Sequence, residues 1–290
     1  MSEPDPPTTW WELRLKAHSG AEEVTARLLG VAPSGWVEGG GGVYTVYLPD
    51  AQAAEWARSA VQELGAVELK AVSDAGWQAW RRSFRAHAVG ERLWIYPAWE
   101  APAAPVSAGP GLREIPVIIE PGLAFGTGEH PTTAACLRYL EKLVRGGEYV
   151  LDVGTGSGIL AIGAAMLGAG RVVGLEVDPL ACRSARANLA RNPAAQGRVE
   201  IREGNAVREL PGQGRGDCAD IVTANLTSAL IRHLAPGLAG AVRPGGHLVA
   251  SGIGRPAGAE ATRSLEQAGF RTVGRTYEAG WVSLLARREG

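Results

Sequence analysis

The sequence has few cysteines, and their spacing excludes two ways of stabilising a small domain. Cys136, Cys182 and Cys218 are the only three in a chain of 290 residues. An odd number at wide spacing forms neither a disulfide framework nor a Cys-x-x-Cys metal motif. We therefore predict a protein of a reducing compartment that has no metal site and that depends on its hydrophobic core.

The sequence also lacks a long apolar run and a secretion signal. The longest uncharged apolar stretch, 154–170, is interrupted by glycines and is shorter than the roughly 20 residues that cross a bilayer. The first residues, MSEPDPPTT, are acidic and rich in proline, unlike a signal peptide. These features predict a cytoplasmic protein that does not associate with a membrane.

There is no excess of positive charge. The chain carries 29 basic and 30 acidic residues, a net charge of -1, which argues against stable binding to nucleic acid. Hydrophobic residues make up 46% of the chain, which is ample for a core. A chain of this length forms one large domain or two moderate ones.

Residues 1–73 alternate strand and helix patterns of modest length. Strands are predicted at 11–15, 43–48 and 66–72, with helices at 21–29 and from Asp50 to Leu64. This order, β-α-β-α-β, is typical of a small α+β domain of the ferredoxin-like kind. We therefore predict an N-terminal domain over 1–73.

The N-terminal domain is acidic. It contains ten Asp or Glu residues and five Arg or Lys residues, a net charge of -5. Two interpretations remain open at this point: a docking module for a basic protein, and a solvated surface without a partner. Binding to RNA is disfavoured by the sign of the charge.

The remaining residues form a connector and a larger domain. Trp77, Trp80 and Phe84 lie three and four residues apart, which predicts a connector helix within 74–88. From Tyr149 onward strands alternate with helices, so 89–290 is predicted to be an α/β domain with a doubly wound, mostly parallel sheet. The last two strands are joined by only EAGW, which is too short for a crossover, so they must be antiparallel.

The most informative motif is VLDVGTGSGIL, at 150–160. A hydrophobic strand leads into Gly154, Gly156 and Gly158 and then into a helix. Glycines at such a junction let a ligand approach the backbone closely, and the N–H groups at the start of the helix favour an anionic group. This segment, called the glycine loop below, is therefore the predicted ligand site.

The residues around the glycine loop favour one class of ligand over another. A dinucleotide fold has the pattern G-x-G-x-x-G, whereas this sequence has G-x-G-x-G with Ile159 in the sixth place. Asp152 would repel a pyrophosphate, but it suits a ligand that carries an ammonium and a sulfonium, such as S-adenosylmethionine. Glu176, at the end of the next strand, is positioned for ribose hydroxyls, while Asp178 is expected to point to the opposite face.

Several motifs together resemble one enzyme family. DVGTGSGIL and LEVDP resemble the class I methyltransferases, and AFGTGEHPTT, VTANL and the segment before them resemble the PrmA family within that class. The resemblance covers most of the chain. It implies a seven-stranded, Rossmann-like, mostly parallel sheet that binds S-adenosylmethionine.

The resemblance also implies roles for individual residues. Thr133, Gly154, Glu176 and Asn225 correspond to the family's S-adenosylmethionine contacts, and Asp152 and Gly156 are added from the glycine loop. Phe125 would lie near the reactive sulfonium with His130 close behind it. Asn225 and Phe125 are the predicted catalytic residues, because the Asn225 carbonyl oxygen could accept hydrogen bonds from the attacking amine.

The implied function is methylation of amino groups on a large-subunit ribosomal protein, ribosomal protein L11. The acceptors would be lysine side chains, with the N-terminal amine as a further candidate. Four alternatives stay open on the sequence alone: a methyltransferase acting on RNA, one acting on a small molecule, an NAD-dependent oxidoreductase, and a non-catalytic assembly factor that binds an adenosyl ligand.

Overall fold

A computed structural model describes most of the chain. The described residues are 10–20, 23–24, 27–28, 31, 36–39, 41–48, 50–72, 84–102, 114–120, 126–210 and 218–290. The chain divides into two compact units, 1–85 and 86–290. Trp77, Trp80 and most of the predicted connector lie outside the described residues.

The first unit contains a four-stranded antiparallel sheet. Its strands are β1 (Trp10–Ala17), β2 (Val37–Gly39), β3 (Val43–Leu48) and β4 (Gly65–Val72). Their order is β2-β3-β1-β4, with every neighbouring pair antiparallel. Strand β2 was not predicted, because three residues are too few to show an alternating pattern. With four strands in this order the unit has the ferredoxin-like arrangement.

One face of this sheet is covered by a helix. Asp50 begins α1 (Ala51–Val61) by accepting a hydrogen bond from the backbone of Ala53, at 2.8 Å. Leu13 and Leu15, two residues apart in β1, point to the same side and are fully buried together with Ala54 and Ala57 of the helix. The alternation in β1 therefore places an apolar core between sheet and helix and leaves charged side chains on the opposite face.

The second unit contains a seven-stranded sheet. The strands are β8 (Tyr149–Val153), β9 (Arg171–Glu176), β10 (Val199–Glu203), β11 (Ala219–Asn225), β12 (Val242–Gly254), β13 (Phe270–Glu278) and β14 (Trp281–Arg288). Their order is β10-β9-β8-β11-β12-β14-β13. The first five are parallel, and β14 is antiparallel to both β12 and β13, as the short EAGW link predicts. The predicted fold class is confirmed.

Helices connect these strands, and a smaller sheet precedes them. The helices are α2 (Pro131–Leu143), α3 (Ile159–Leu167), α4 (Pro179–Ala190), α5 (Ala206–Glu209), α6 (Ser228–Ala241) and α7 (Gly258–Gln267). The smaller sheet contains β5 (His87–Ala88), β6 (Leu93–Pro97) and β7 (Ile115–Ile119). None of the helices in the described part of the chain is both long and apolar enough to span a bilayer.

Strand β12 begins directly after α6, at Val242, so the segment RPGG, 243–246, is part of the strand. Ala219 pairs with Val242 and Ile221 with His247, so the four residues form an irregularity within the strand pairing. Glycine at position 246 permits this irregularity, because any other residue would place a Cβ only 2.8 Å from the carbonyl oxygen of Asp220.

The sheet positions the glycine loop at a place where ligands commonly bind. Strand β8 lies in the middle, with β9 on one side and β11 on the other. The chain leaves β8 toward β9 and β10 and later returns to add β11 and β12 on the opposite side. In open α/β sheets, ligands bind at the carboxyl ends of strands where the strand order reverses in this way.

Candidate functional site

The glycine loop follows β8 and has a conformation that favours glycine. Gly154, Gly156 and Gly158 have φ angles of 74°, 55° and 83°, in the left-handed region. A Cβ on Gly154 would lie 2.6 Å from the Leu226 side chain, which follows β11. The first glycine is therefore needed both for backbone geometry and for close approach to the neighbouring strand end.

The backbone N–H groups of the loop are largely used within the protein. Those of Gly154 and Thr155 donate to the carbonyl oxygen of Leu175 at 2.8 and 3.1 Å, and that of Gly156 donates to the Glu176 carboxylate at 2.9 Å. A pyrophosphate would need such groups free. The geometry thus adds a second argument against a dinucleotide, beside the sequence spacing.

Asp152 lies beneath the loop. Its side chain is fully buried, and its two oxygens accept hydrogen bonds from the hydroxyls of Thr155 and Thr223, both at 2.6 Å. Burial raises the pKa of Asp152 to about 6, and the two hydroxyls oppose that rise. In this conformation Asp152 holds the loop to β11 and has no surface that a ligand could touch. Its predicted contact with a ligand stays a prediction.

Glu176 lies at the carboxyl end of β9, beside the loop. One carboxylate oxygen accepts the Gly156 N–H, and the other accepts the N–H groups of Val177 and Asp178 at 2.9 and 3.1 Å. The side chain remains partly exposed. Asp178 instead begins α4, accepting from Leu180 N at 2.9 Å. The geometry therefore favours Glu176 over Asp178 as the acid that faces a ligand.

Asn225 and Thr133 meet at the end of β11. The Asn225 Nδ2 donates to the Thr133 Oγ1 at 3.2 Å, while Thr133 itself is only 1% exposed. No donor among the described residues bonds to the Asn225 Oδ1, and Asn225 is partly exposed. Thr133 therefore fixes the orientation of the amide so that its carbonyl oxygen is free to accept a hydrogen bond from a substrate.

His130 begins helix α2, and Phe125 lies outside the described residues. The His130 Nδ1 accepts from the backbone of Thr132 at 3.4 Å and lies 2.7 Å from the Thr132 hydroxyl. Its ring meets the Trp281 ring edge-on, with centroids 5.2 Å apart. Burial lowers the pKa of His130 to about 4, so the imidazole is neutral at pH 7. Contacts of His130 and Phe125 with a cofactor stay predictions.

Residues that sequence reasoning missed extend the site along β9 and β10. Val177 and Val207 are 63% and 55% exposed, and they follow Glu176 and Asn205 at two paired strand ends. The Asn205 side chain begins α5 by accepting the Val207 N–H at 2.9 Å. The rule that placed Glu176, a polar residue at a strand's carboxyl end, could also have identified Asn205.

The residues at this edge suit S-adenosylmethionine better than a metal ion. Together they offer a partly exposed carboxylate, exposed apolar side chains beside it, and an amide oxygen, which match ribose hydroxyls, a purine ring and an amine. Among the described residues there is no cluster of three His, Cys, Asp or Glu side chains that could hold a metal ion.

Comparison with known proteins agrees with this geometry. The family model for ribosomal protein L11 methyltransferase (PrmA) matches residues 43–289. A ribosomal protein L11 methyltransferase of Pelotomaculum thermopropionicum is 44% identical, over 77% of this chain and 68% of its own length. One from Chloroflexus aurantiacus is 34% identical, over 97% of this chain and 98% of its own.

A solved structure shows the same relationship. The crystal structure of a ribosomal protein L11 methylase from Lactobacillus delbrueckii subsp. bulgaricus superposes with a TM-score of 0.61 at 25% identity. The match covers 71% of this chain and all of that one. The predicted resemblance is confirmed, and this chain belongs to the ribosomal protein L11 methyltransferase (PrmA) family.

Proposed function

We propose that this protein transfers methyl groups from S-adenosylmethionine to lysine amino groups of ribosomal protein L11, with the N-terminal amine as a further acceptor. The observation that carries the proposal is the meeting of three strand ends. Glu176 accepts a hydrogen bond from the glycine loop, and Gly154 lies close to Leu226. The adjacent Asn225 donates its amide N–H to Thr133, and no donor among the described residues reaches its carbonyl oxygen. A cofactor site and an amine site therefore adjoin each other.

Residues along the strand ends would hold the cofactor. The Glu176 carboxylate would accept hydrogen bonds from the ribose hydroxyls, Val177 and Val207 would offer apolar surface to the purine, and Gly154 would let the amino-acid part approach the backbone. When bound, S-adenosylmethionine supplies a methyl group on a positively charged sulfur, which is a good electrophile for an amine.

Asn225 orients the attacking amine. A lysine amine has an ordinary pKa of about 10.4, so it must first lose a proton, and a partly desolvated site makes that loss easier by disfavouring the ammonium form. The Asn225 Oδ1 then accepts a hydrogen bond from a remaining N–H and directs the lone pair toward the methyl carbon. Methyl transfer would form the nitrogen–carbon bond as the carbon–sulfur bond breaks, with S-adenosylhomocysteine as the leaving group and the proton released to solvent.

The first unit offers a surface for the protein substrate. On the outer face of α1 and the turn that follows it, Glu55, Trp56, Arg58, Ser59 and Glu63 are exposed, Trp56 is exposed by 57%, and Glu55 is paired with Arg58 at 2.9 Å. An exposed tryptophan on a face that also carries the Glu63 carboxylate suits lysine and arginine side chains of a basic protein. The open face of the sheet is less suited to basic side chains of a substrate, because it carries three basic residues, Arg14, Lys16 and Lys70, and two acidic ones, Glu12 and Glu68.

Replacing Glu176 with alanine should weaken binding of S-adenosylmethionine about ten- to a hundredfold, the usual cost of losing a hydrogen bond to a charged group. Isothermal titration calorimetry with S-adenosylhomocysteine measures the effect. Asp178→Ala is a matched control on the same turn and should change affinity less than threefold. An equal loss of affinity in the two variants would show that Glu176 does not contact the cofactor.

Replacing Trp56 with alanine should raise the KM for ribosomal protein L11 roughly thirtyfold, because exposed tryptophans at interfaces often contribute 2 kcal/mol or more. Affinity for S-adenosylhomocysteine should not change. Tyr277→Ala is a matched control, since this aromatic side chain is also 57% exposed but lies in the second unit. An unchanged KM in Trp56→Ala would show that the substrate docks elsewhere.

A further inference from the structure

Two buried asparagines near the end of α4 bind the outer edge of β7. The Asn192 amide donates to the Ile118 carbonyl at 2.8 Å and accepts the Ile118 N–H at 2.9 Å. Four residues earlier, the Asn188 Oδ1 accepts the Glu120 N–H at 2.8 Å. Asn188 is 1% exposed and Asn192 is 2% exposed. Strand β7 is at the edge of the small sheet, and the two amides pair with its backbone there as a neighbouring strand would.

Asn188 lies in the last turn of α4, which ends at Ala190, and Asn192 follows the helix. The N–H groups of Ile118 and Glu120, two residues apart along the chain, point to the same side. The C-terminal end of α4 therefore supplies hydrogen-bond acceptors for two successive N–H groups along the outer edge of β7.

Asn188 also contacts the glycine loop, whereas the additional hydrogen bond of Asn192 is to the carbonyl oxygen of Asn188, at 2.8 Å. The Asn188 Nδ2 donates to the carbonyl oxygen of Ser157, in the glycine loop, at 2.9 Å. The Ser157 hydroxyl in turn donates to the carbonyl oxygen of Gly126 at 2.6 Å. A Cβ on Gly126 would lie 2.9 Å from the Ser157 Oγ, so the approach is close enough to require a glycine.

These bonds form one chain from Glu120, through Asn188 and Ser157, to Gly126. Glu120 directly follows β7, and Gly126 lies four residues before His130 at the start of α2. We propose that Ser157 and Asn188 are positioning residues, which hold Gly126 and Glu120 against the glycine loop so that the start of α2, with His130 and Thr133, keeps a fixed position relative to the loop. This inference rests on the proposed function of the site.

The test compares Ser157→Ala and Asn188→Ala with Asn192→Ala in the full-length protein. Asn192 is the matched control: it is the same residue type, equally buried and bonded to the same strand, but it does not contact the glycine loop. S-adenosylhomocysteine affinity should fall about tenfold in the first two variants, as expected for one or two lost hydrogen bonds, and less than twofold in the control. All three should melt at lower temperatures than the unchanged protein.

Amide hydrogen exchange gives a second readout that needs no cofactor. Exchange at Glu120 should become faster in Asn188→Ala, and exchange at Ile118 should become faster in Asn192→Ala. Exchange across 126–130 should become faster in Ser157→Ala. Ser157→Ala removes a single oxygen atom, so its affinity and exchange rates test the positioning role even if Asn188→Ala does not fold.

Three results separate the possible failures. The positioning role is wrong if Asn192→Ala loses as much affinity as Asn188→Ala, or if Ser157→Ala matches the unchanged protein in both readouts. If the unchanged protein binds neither S-adenosylmethionine nor S-adenosylhomocysteine, the proposed function is wrong, and the exchange rates alone then show whether Asn188 holds Glu120 and Ser157 holds Gly126.

Discussion

Gly154→Val should bind S-adenosylmethionine at least about a hundredfold more weakly than the unchanged protein. Valine is strained at a φ of 74°, and its Cβ would lie 2.6 Å from the Leu226 side chain. Strain of this kind costs about 1–3 kcal/mol, and the added side chain would also occupy the place where ligand meets backbone. Calorimetry with S-adenosylhomocysteine measures the loss.

Gly147→Val separates the local effect from general strain. Gly147 has a φ of 91°, but it precedes β8, and nothing lies within 4 Å of the position its Cβ would take. Both variants should therefore lose stability from backbone strain, while only Gly154→Val should lose the ligand. Normal binding by a folded Gly154→Val protein would show that the glycine loop is not the site.

Asn225→Ala should lower the turnover number about ten- to a hundredfold and change cofactor affinity less than threefold. The proposed hydrogen bond joins the Asn225 carbonyl oxygen to the attacking amine. Its loss should therefore lower the rate of methyl transfer more than the affinity for the cofactor. Steady-state kinetics with ribosomal protein L11, together with calorimetry, separates the two quantities.

Asn205→Ala provides the contrasting case. Asn205 also follows the carboxyl end of a strand, but it lies beside Val207 on the side proposed for the purine. This variant should lose cofactor affinity and keep its turnover number at saturating cofactor. If Asn225→Ala showed that same pattern, Asn225 would belong to the cofactor contacts and would not orient the amine.

Sequence patterns predicted the elements whose side chains alternate over several residues. Strands β1 and β3 begin and end within two residues of the positions predicted for them, because alternate side chains along each strand face a core. Helix α7 was not predicted: its buried residues, Gly258, Ala261, Thr262 and Leu265, have helical spacing, but only Leu265 is a large apolar residue. Strand β2 was missed because of its length.

The candidate site was predicted from motifs, and its supporting contacts were not. Glu176 and Gly154 follow a rule about strand ends, so their place at the edge of the sheet could be inferred from spacing. The roles of Asn188 and Ser157 depend on which backbone groups lie beside their side chains in the folded chain. That is a property of tertiary packing, and no local pattern reveals it.

The most direct test is to incubate the full-length protein with S-adenosylmethionine and purified ribosomal protein L11 and to follow L11 by mass spectrometry. We expect its mass to increase by whole numbers of methyl groups, with fragmentation placing them on amino groups, and we expect no increase with Gly154→Val. Binding of S-adenosylmethionine without any transfer to L11, or transfer only to RNA or a small molecule, would contradict the account.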